Sequence, residues 1–359
     1  MNIYYFLRKI LYGILSFFIS PNKITLIQYD KNDSYGNISL LYEKMKEAPE
    51  VQIICGKSKN IIEEIKNIYM IACSRVIATD TSSPYVSQIS HSTQTDIVFV
   101  GHGGGAFKKM AFAAMPLNAP PKERKRIKRV SGKYTYVLCT SESIKHCIAK
   151  NYNIDISRVL PLGLPRTDAY YGMDIVEEKN TFFKYNNISK EKKLILYAPT
   201  FRNKLNRRCL PPLINEKIFP NDFYDKYCIL FRGHPTIKSI NIPSTWIDVT
   251  NSSLKQLLSI SDFIISDFSS IIFDYSFFKR PILLFIPDEK IYQYTERSLW
   301  YSPQDLVGHS CCYNSNDILS ALNEAEPSTL WSKQMDACDG HCCIKISKFL
   351  FDLLGGQKA

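Results

Sequence analysis

Short β-branched runs alternate with amphipathic segments along almost the whole chain, and this alternation limits the fold more than any other feature. Runs rich in Ile, Val and Leu fall at 24–28, 51–55, 75–78, 96–100, 134–139 and 159–162. Between them lie stretches with helical spacing of apolar residues, notably 38–46, 61–73 and 141–152. Strands separated by helices pair in parallel, because the crossover helix returns the chain to the edge it started from. A second series has strands expected at 194–197, 228–231, 246–249, 263–266 and 282–285, with helices at 252–260 and 269–278. The pattern predicts an α/β protein of two Rossmann-like, doubly wound domains, at 23–171 and 194–335. A polar stretch at 172–193, rich in Lys, Asn and Glu, reads as the linker. An apolar helix at 1–22 precedes the domains, and a C-terminal helix and tail at 336–359 follow them.

Composition excludes several classes. With 45% hydrophobic and 13% aromatic residues in 359, the chain can bury a sizeable core and is not disordered. No stretch approaches the roughly 18–20 uninterrupted apolar residues of a spanning helix, which excludes a polytopic membrane protein. The 11 cysteines are odd in number and include the adjacent pairs Cys311-Cys312 and Cys342-Cys343, so they read as reduced thiols rather than a disulfide scaffold. Cys338, His341, Cys342 and Cys343 are metal-ligand types but lack the paired C-x-x-C knuckles of a zinc site.

Ligands of doubly wound folds bind beyond the carboxyl ends of the strands. After 96–100 comes Gly101-His102-Gly103-Gly104-Gly105, then Ala106-Phe107-Lys108-Lys109. Glycines let the backbone approach a ligand and leave amides free to donate, and a histidine suits a general base near neutrality. After 228–231 comes Arg232-Gly233-His234-Pro235. Side chains two apart on an extended segment share a face, so Arg232 and His234 are expected to meet one ligand, a phosphate. After 263–266, Asp267-Phe268-Ser269-Ser270 opens a helix containing Asp274. Ser269 and Ser270 offer hydroxyls and amides where a helix dipole favours an anion. The strand at 194–197 runs on into Ala198-Pro199-Thr200-Phe201-Arg202, offering Thr200 and Arg202. The first half closes on Gly163-Leu164-Pro165-Arg166-Thr167-Asp168, where Arg166 is expected to pin the turn against Asp168.

In this order, the five stretches resemble the CDP-glycerol glycerophosphotransferase family, the polymerases and primases of teichoic acids and related capsules. The family pattern runs strand-W-H-G-T, G-x-P-R-x-D, Y-A-P-T-W/F-R, R-x-H and T/S-D-Y-S-S-x-x-x-D. Gly101 stands where that pattern has tryptophan and Gly104 where it has threonine, which opens the acceptor side of the pocket around His102. The resemblance implies a GT-B-like arrangement with the active site in the interdomain cleft. It implies transfer of glycerol phosphate, or a related polyol phosphate, from a CDP-activated donor to a hydroxyl, with release of CMP. His102 would then be the base for the acceptor hydroxyl. His234, Arg232, Ser269 and Ser270 would hold the diphosphate and the departing CMP. Thr200, Arg202 and Asp267 would complete the donor site, with Gly103, Gly104, Arg166, Asp168 and Asp274 in support. Attack on phosphorus depends on positioning and charge neutralisation; basic groups can supply the latter, so no metal or other cofactor is implied.

The formal charge is +11. Lys122, Arg124, Lys125, Arg126, Lys128 and Arg129 form the densest cluster in the chain. No nucleic-acid module motif accompanies it, and no nucleic-acid partner is expected. In the N-terminal stretch, Arg8 and Lys9 precede an apolar run at 10–19 of signal-peptide length. Ser20-Pro21-Asn22-Lys23 follows without a small-x-small cleavage site. Two readings stay open: an aromatic helix lying in a membrane interface, or a buried first helix of the fold. Beside an interfacial helix, the basic cluster fits an anionic membrane surface, two weak signals together giving stable anchoring. On that reading the protein is peripheral (monotopic) at the cytoplasmic face of the membrane, with a lipid-linked saccharide as acceptor. A GT-B glycosyltransferase using a nucleotide-sugar donor shares the architecture and is the alternative.

Overall fold

A computed structural model describes residues 3–29, 36–116, 119–204, 207–234, 237 and 241–356. The chain divides into two compact units, the first formed by 1–104, 110–171 and 336–359, the second by 105–109 and 172–335. Each is built on a six-stranded parallel sheet. The first holds β1 (Lys23–Gln28), β2 (Val51–Cys55), β3 (Ser74–Thr79), β4 (Asp96–Phe99), β5 (Tyr136–Leu138) and β6 (Val159–Leu160), in the order β2-β1-β3-β4-β5-β6. In the second unit, β7 (Lys193–Ala198) is followed by an antiparallel hairpin of β8 (Arg202–Lys204) and β9 (Arg207–Cys209). Then come β10 (Tyr227–Phe231), β11 (Ile247–Asp248), β12 (Phe263–Ser266), β13 (Ile282–Phe285) and β14 (Cys311–Cys312). The second sheet has the order β11-β10-β7-β12-β13-β14.

Helices cover both faces of such a sheet, so its central strands run apolar without alternation. Every residue of β12 (FIIS) and β13 (ILLF) is buried. Side chains such as Leu196, Ile264 and Leu283, fully removed from water, each contribute roughly 1.5–3 kcal/mol. Tyr197 adds edge-on contacts to Phe231 and Trp246, each at 5.6 Å.

The N-terminal helix Ile3–Phe18 packs one face on the first unit and exposes the other. Leu7, Leu11, Tyr12 and Leu15 pack on the core of the first unit, while Ile3, Phe6, Ile10, Ile14, Phe17 and Phe18 are exposed. A buried ion pair fixes its orientation: Arg8 Nε lies 2.7 Å from Glu64 Oε1, and Nη2 donates to Oε2 at 3.1 Å. Glu64 Oε2 also accepts from the hydroxyls of Tyr85 and Ser58.

Two segments differ from expectation. Residues 172–193 are not a bare linker, because Ile175–Tyr185 is a helix of the second unit, capped by Asp174. Lys179 donates to both carboxylate oxygens of Asp262 at 2.7 Å, and Phe182 and Phe183 are buried. Its polar composition belongs to a solvent face rather than to a loop. Residues 336–359 do not stand apart either. The helix Cys342–Leu354 joins the first unit, burying Ile346, Leu350 and Leu353.

Candidate active site

Strand order decides which motif loops meet. β10, β7 and β12 are neighbours, and their register levels their carboxyl ends: Phe231 faces Tyr197, and Ser266 faces Ala198. Arg232 N donates to Tyr197 O at 2.9 Å and Ser266 Oγ to Ala198 O at 2.7 Å. The loops bearing Thr200, Arg232 and Asp267 therefore leave one edge of the sheet side by side.

At their centre is a buried charge network. Asp267 Oδ1 accepts from Thr200 N at 2.8 Å, and Oδ2 accepts from Arg202 Nη1 at 2.9 Å. Arg202 turns its other edge to Asp288, donating from Nε and Nη2 to the two carboxylate oxygens, each at 2.9 Å. This fork-to-fork geometry is the strong form of the pair. The guanidinium lies over Tyr292 (4.6 Å) and Phe268 (5.4 Å), whose rings stack 3.9 Å apart. Burial works to lower the pKa of Arg202, but Asp288 and Asp267 outweigh it and hold it above the ordinary value. With a side chain 6% exposed and two carboxylates satisfied, Arg202 positions these loops.

Around this network sit the remaining donor-site candidates. The Thr200 hydroxyl is buried and finds no hydrogen-bond partner among the described residues. Ser269 and Ser270 are half-buried, and Ser269 Oγ accepts from Ile271 N at 3.3 Å. The helix they open is only Ile271–Tyr275, followed by a 3-10 turn, so the expected dipole contribution falls away and hydroxyls and loop amides remain. Asp274 is buried within it. Arg232 Nη1 donates to Ser252 O at 2.7 Å and Val249 O at 3.3 Å, fixing the loop after β11. His234 rests edge-on against Phe201 at 4.8 Å, and Arg208 of the β8–β9 hairpin lies 4.4 Å from the same ring. Burial, then Arg208 and Arg232, push the His234 pKa below the ordinary histidine value.

In the first unit, His102 is exposed on the loop after β4, with Gly103 half-buried and Gly104 buried beneath it. Asn37 braces this loop, its Nδ2 donating to Gly101 O at 3.0 Å and its Oδ1 accepting from Arg166 N at 3.1 Å. Arg166 Nη1 donates to His102 O at 2.8 Å. Gly101 has φ +92°, a left-handed conformation that a side-chain-bearing residue rarely adopts. Asp168 has a separate duty, accepting from the amides of Cys342 (2.9 Å) and Cys343 (2.7 Å) at the start of the C-terminal helix. The expected pinning of Arg166 against Asp168 thus gives way to two distinct supports.

The helix Pro121–Ser131 turns Lys122, Arg124, Lys125, Arg126, Lys128 and Arg129 outward and buries Ile127. Among the described residues, no group of three His, Cys, Asp or Glu side chains could hold a metal ion. Sequence reasoning missed Asn37, Asp288, Tyr292 and Arg208. Only Arg208, in a basic pair with Arg207, carried a local signal.

Comparison with known proteins extends this geometry. The sequence pattern of the family described as CDP-Glycerol:Poly(glycerophosphate) glycerophosphotransferase matches residues 11–338. The chain is 28% identical over 355 residues to the teichoic acid glycerol-phosphate primase of Bacillus subtilis (strain 168), covering 95% of this chain and 91% of that protein. It is 27% identical over 327 residues to the teichoic acid poly(ribitol-phosphate) polymerase of Bacillus spizizenii, covering 85% of this chain and 51% of that one. A solved structure of the wall teichoic acid polymerase TagF matches with a TM-score of 0.77 at 19% identity, over 97% of this chain and 93% of its own. That likeness supports the GT-B-like fold. With the family pattern spanning all five motif stretches, the chain belongs to the CDP-glycerol:poly(glycerophosphate) glycerophosphotransferase family.

Proposed function

We propose that the protein transfers glycerol phosphate, or a related polyol phosphate, from a CDP-activated donor to a hydroxyl of a lipid-linked saccharide or polyol-phosphate acceptor. CMP is released, and the product enters cell-surface polymer biosynthesis. The observation that carries this reading is the exposed His102 on a loop braced by Asn37 and Arg166, within a chain of this family. An exposed imidazole on a loop braced through its main chain is placed to meet an acceptor and act as a base.

In the proposed step, the His102 imidazole takes the proton of the acceptor hydroxyl. The oxygen attacks the phosphorus bearing the polyol, and the bond from that phosphorus to the bridging oxygen of CMP breaks. Ser269, Ser270, Thr200, Arg232 and His234, from the second unit, bind the diphosphate and receive the charge that develops on CMP. Positioning and electrostatic stabilisation account for nearly all of the catalysis in such a transfer.

For the acceptor to be lipid-linked, the protein must reach a membrane. No helix among the described residues is long and apolar enough to cross one. The exposed apolar stripe of Ile3–Phe18 and the outward basic helix Pro121–Ser131 both belong to the first unit and suit peripheral docking on an anionic surface at the cytoplasmic face.

The test is a turnover assay with CDP-glycerol, CDP-ribitol and a panel of nucleotide sugars, with a lipid-linked disaccharide as acceptor in anionic vesicles. CMP release with phosphate retained on the acceptor is the expected result. Turnover of a nucleotide sugar with no reaction of any CDP-polyol would establish the glycosyltransferase alternative instead.

A further inference from the structure

Gly105–Lys109, a short way after His102 in the chain, belong to the second unit and are held there by hydrogen bonds. Ala106 N donates to Gln334 Oε1 at 2.8 Å, Trp300 N to Phe107 O at 2.8 Å, and Lys109 N to Ser298 O at 2.9 Å. Lys108 forms an isolated antiparallel bridge with Leu299. Gly105 has φ +63°, and a Cβ there would run into the ring of Phe273. Phe107 lies 5.9 Å from Phe268, the residue between Asp267 and Ser269. This five-residue strap is thus fixed against the loop that carries the donor-site serines.

Its two lysines have different surroundings. The Lys109 ammonium lies 5.2 Å from the centre of the Trp300 ring. The Lys108 side chain is half-buried, and among the described residues its ammonium has no hydrogen bond or ion pair. It sits within the electrostatic reach of Asp267, Arg297, Arg202 and Glu296. Asp267 is the nearest candidate counter-ion in kind, yet both its oxygens already accept, from Thr200 N and Arg202 Nη1. Burial, assisted by Arg297 and Arg202 and opposed by Asp267 and Glu296, lowers the Lys108 pKa to about 8. An ammonium withdrawn from water without a partner is costly unless something else neutralises it. The Thr200 hydroxyl, on the loop after β7, is buried and finds no hydrogen-bond partner among the described residues.

We propose that Lys108 is a further donor-binding residue, its ammonium contacting the diphosphate of the CDP-activated substrate and neutralising charge on the departing CMP. The inference rests on the proposed transfer reaction and adds a residue for which the motif reading gave no role. A lysine suits this duty because its compact charge can follow the phosphate as the bond to CMP lengthens. The placement on a strap six residues after His102 ties donor binding to the loop that carries the base.

The experiment measures binding of CDP-glycerol, CMP and inorganic phosphate by calorimetry to the wild-type full chain and to Lys108→Met, Lys108→Arg and Lys109→Met. Thermal melting of each variant checks folding. The expected result is a loss of roughly ten- to a hundredfold in CDP-glycerol affinity for Lys108→Met, as for a lost charge-assisted contact. Lys108→Arg should recover most of that loss, and Lys109→Met should bind as the wild type does. Wild-type affinity should also weaken as pH rises above about 8, because the diphosphate diester stays fully ionised while the free lysine loses its proton. Lys108→Arg should remove this alkaline weakening. Unchanged affinity in a folded Lys108→Met protein overturns the proposal, as does a lowered melting temperature with unchanged affinity, which marks a purely structural lysine. Failure of the wild type itself to bind CDP-glycerol overturns the transfer reading, a distinct outcome. Equal losses for inorganic phosphate and CDP-glycerol are also expected, since Lys108 reads phosphate rather than cytidine; a loss confined to the nucleoside would contradict it.

Discussion

In the first unit the motif histidine is exposed on a loop braced through its main chain; in the second, a motif arginine is buried and paired with two carboxylates. His102 is fixed through Gly101 O and its own carbonyl, leaving the imidazole outward. Arg202 is fixed through its guanidinium, between Asp267 and Asp288. Both lie just past strand ends of parallel sheets, where the fold places ligands. On the proposed reaction, one motif residue meets the acceptor while the other holds the loops of the donor site. Exposure and hydrogen-bond partners separate the two roles, whereas the sequence pattern treats them alike.

The sharpest way to break this comparison is His102→Ala. Because the imidazole is exposed and the bracing bonds use main-chain atoms, the melting temperature should not move. Turnover should fall roughly 10²–10⁴-fold, the range for removal of a general base. A fall in stability with turnover retained would place His102 in the structural class with Arg202.

Arg202→Met tests the other side. It leaves Asp267 and Asp288 as buried, uncompensated carboxylates, and breaking such a pair costs about 3–5 kcal/mol. Urea unfolding should show that loss, and donor affinity should drop because the loops after β7, β12 and β13 lose their common anchor. A folded variant of unchanged stability and lower donor affinity would return Arg202 to the role of direct phosphate ligand. Replacing Asp288 by Asn should cost less, since Asp267 still faces the guanidinium.

Much of the architecture was legible because its causes are local. Runs such as FIIS and ILLF are apolar at every position only where helices cover both faces of a sheet, and the structure has them as β12 and β13. The motif loops were legible for a related reason, since unusual residues after a strand mark the ligand edge. The fate of Arg202 was not legible: it is set by Asp288, 86 positions away, in the turn after β13, a strand whose neighbours the sequence does not state. Asn37 was invisible in the same way, as a single asparagine whose partners Gly101 and Arg166 come from distant segments. The segment 172–193 misled because a surface helix with a polar outer face and a small buried patch, Phe182 and Phe183, has the composition of a linker. β8, β9 and β14 are too short, at three, three and two residues, to show any periodicity.

His234 offers the smallest effect and the finest distinction, because it shares features of both regions: it belongs to the second unit, yet it is only half-buried, with its ring against Phe201. Burial and the two cations Arg208 and Arg232 hold its pKa below the ordinary value, so the free protein carries it neutral at neutral pH. A group with a folded value below its unfolded one lets the unfolded chain take up the proton first. The stability it contributes is therefore present above the ordinary histidine range and is lost as pH falls through that range towards the folded value. Arg208→Gln removes the larger of the two repulsive charge effects and should move the His234 titration to higher pH, towards the unperturbed histidine value. NMR titration of the labelled imidazole in the free protein reads this directly. A dianionic nucleotide would move the same resonance in the same direction by attraction, so the CMP-induced rise should persist in Arg208→Gln. If neither change moves the resonance, His234 is a packing partner of Phe201 alone, and the exposed His102 has no counterpart in the second unit.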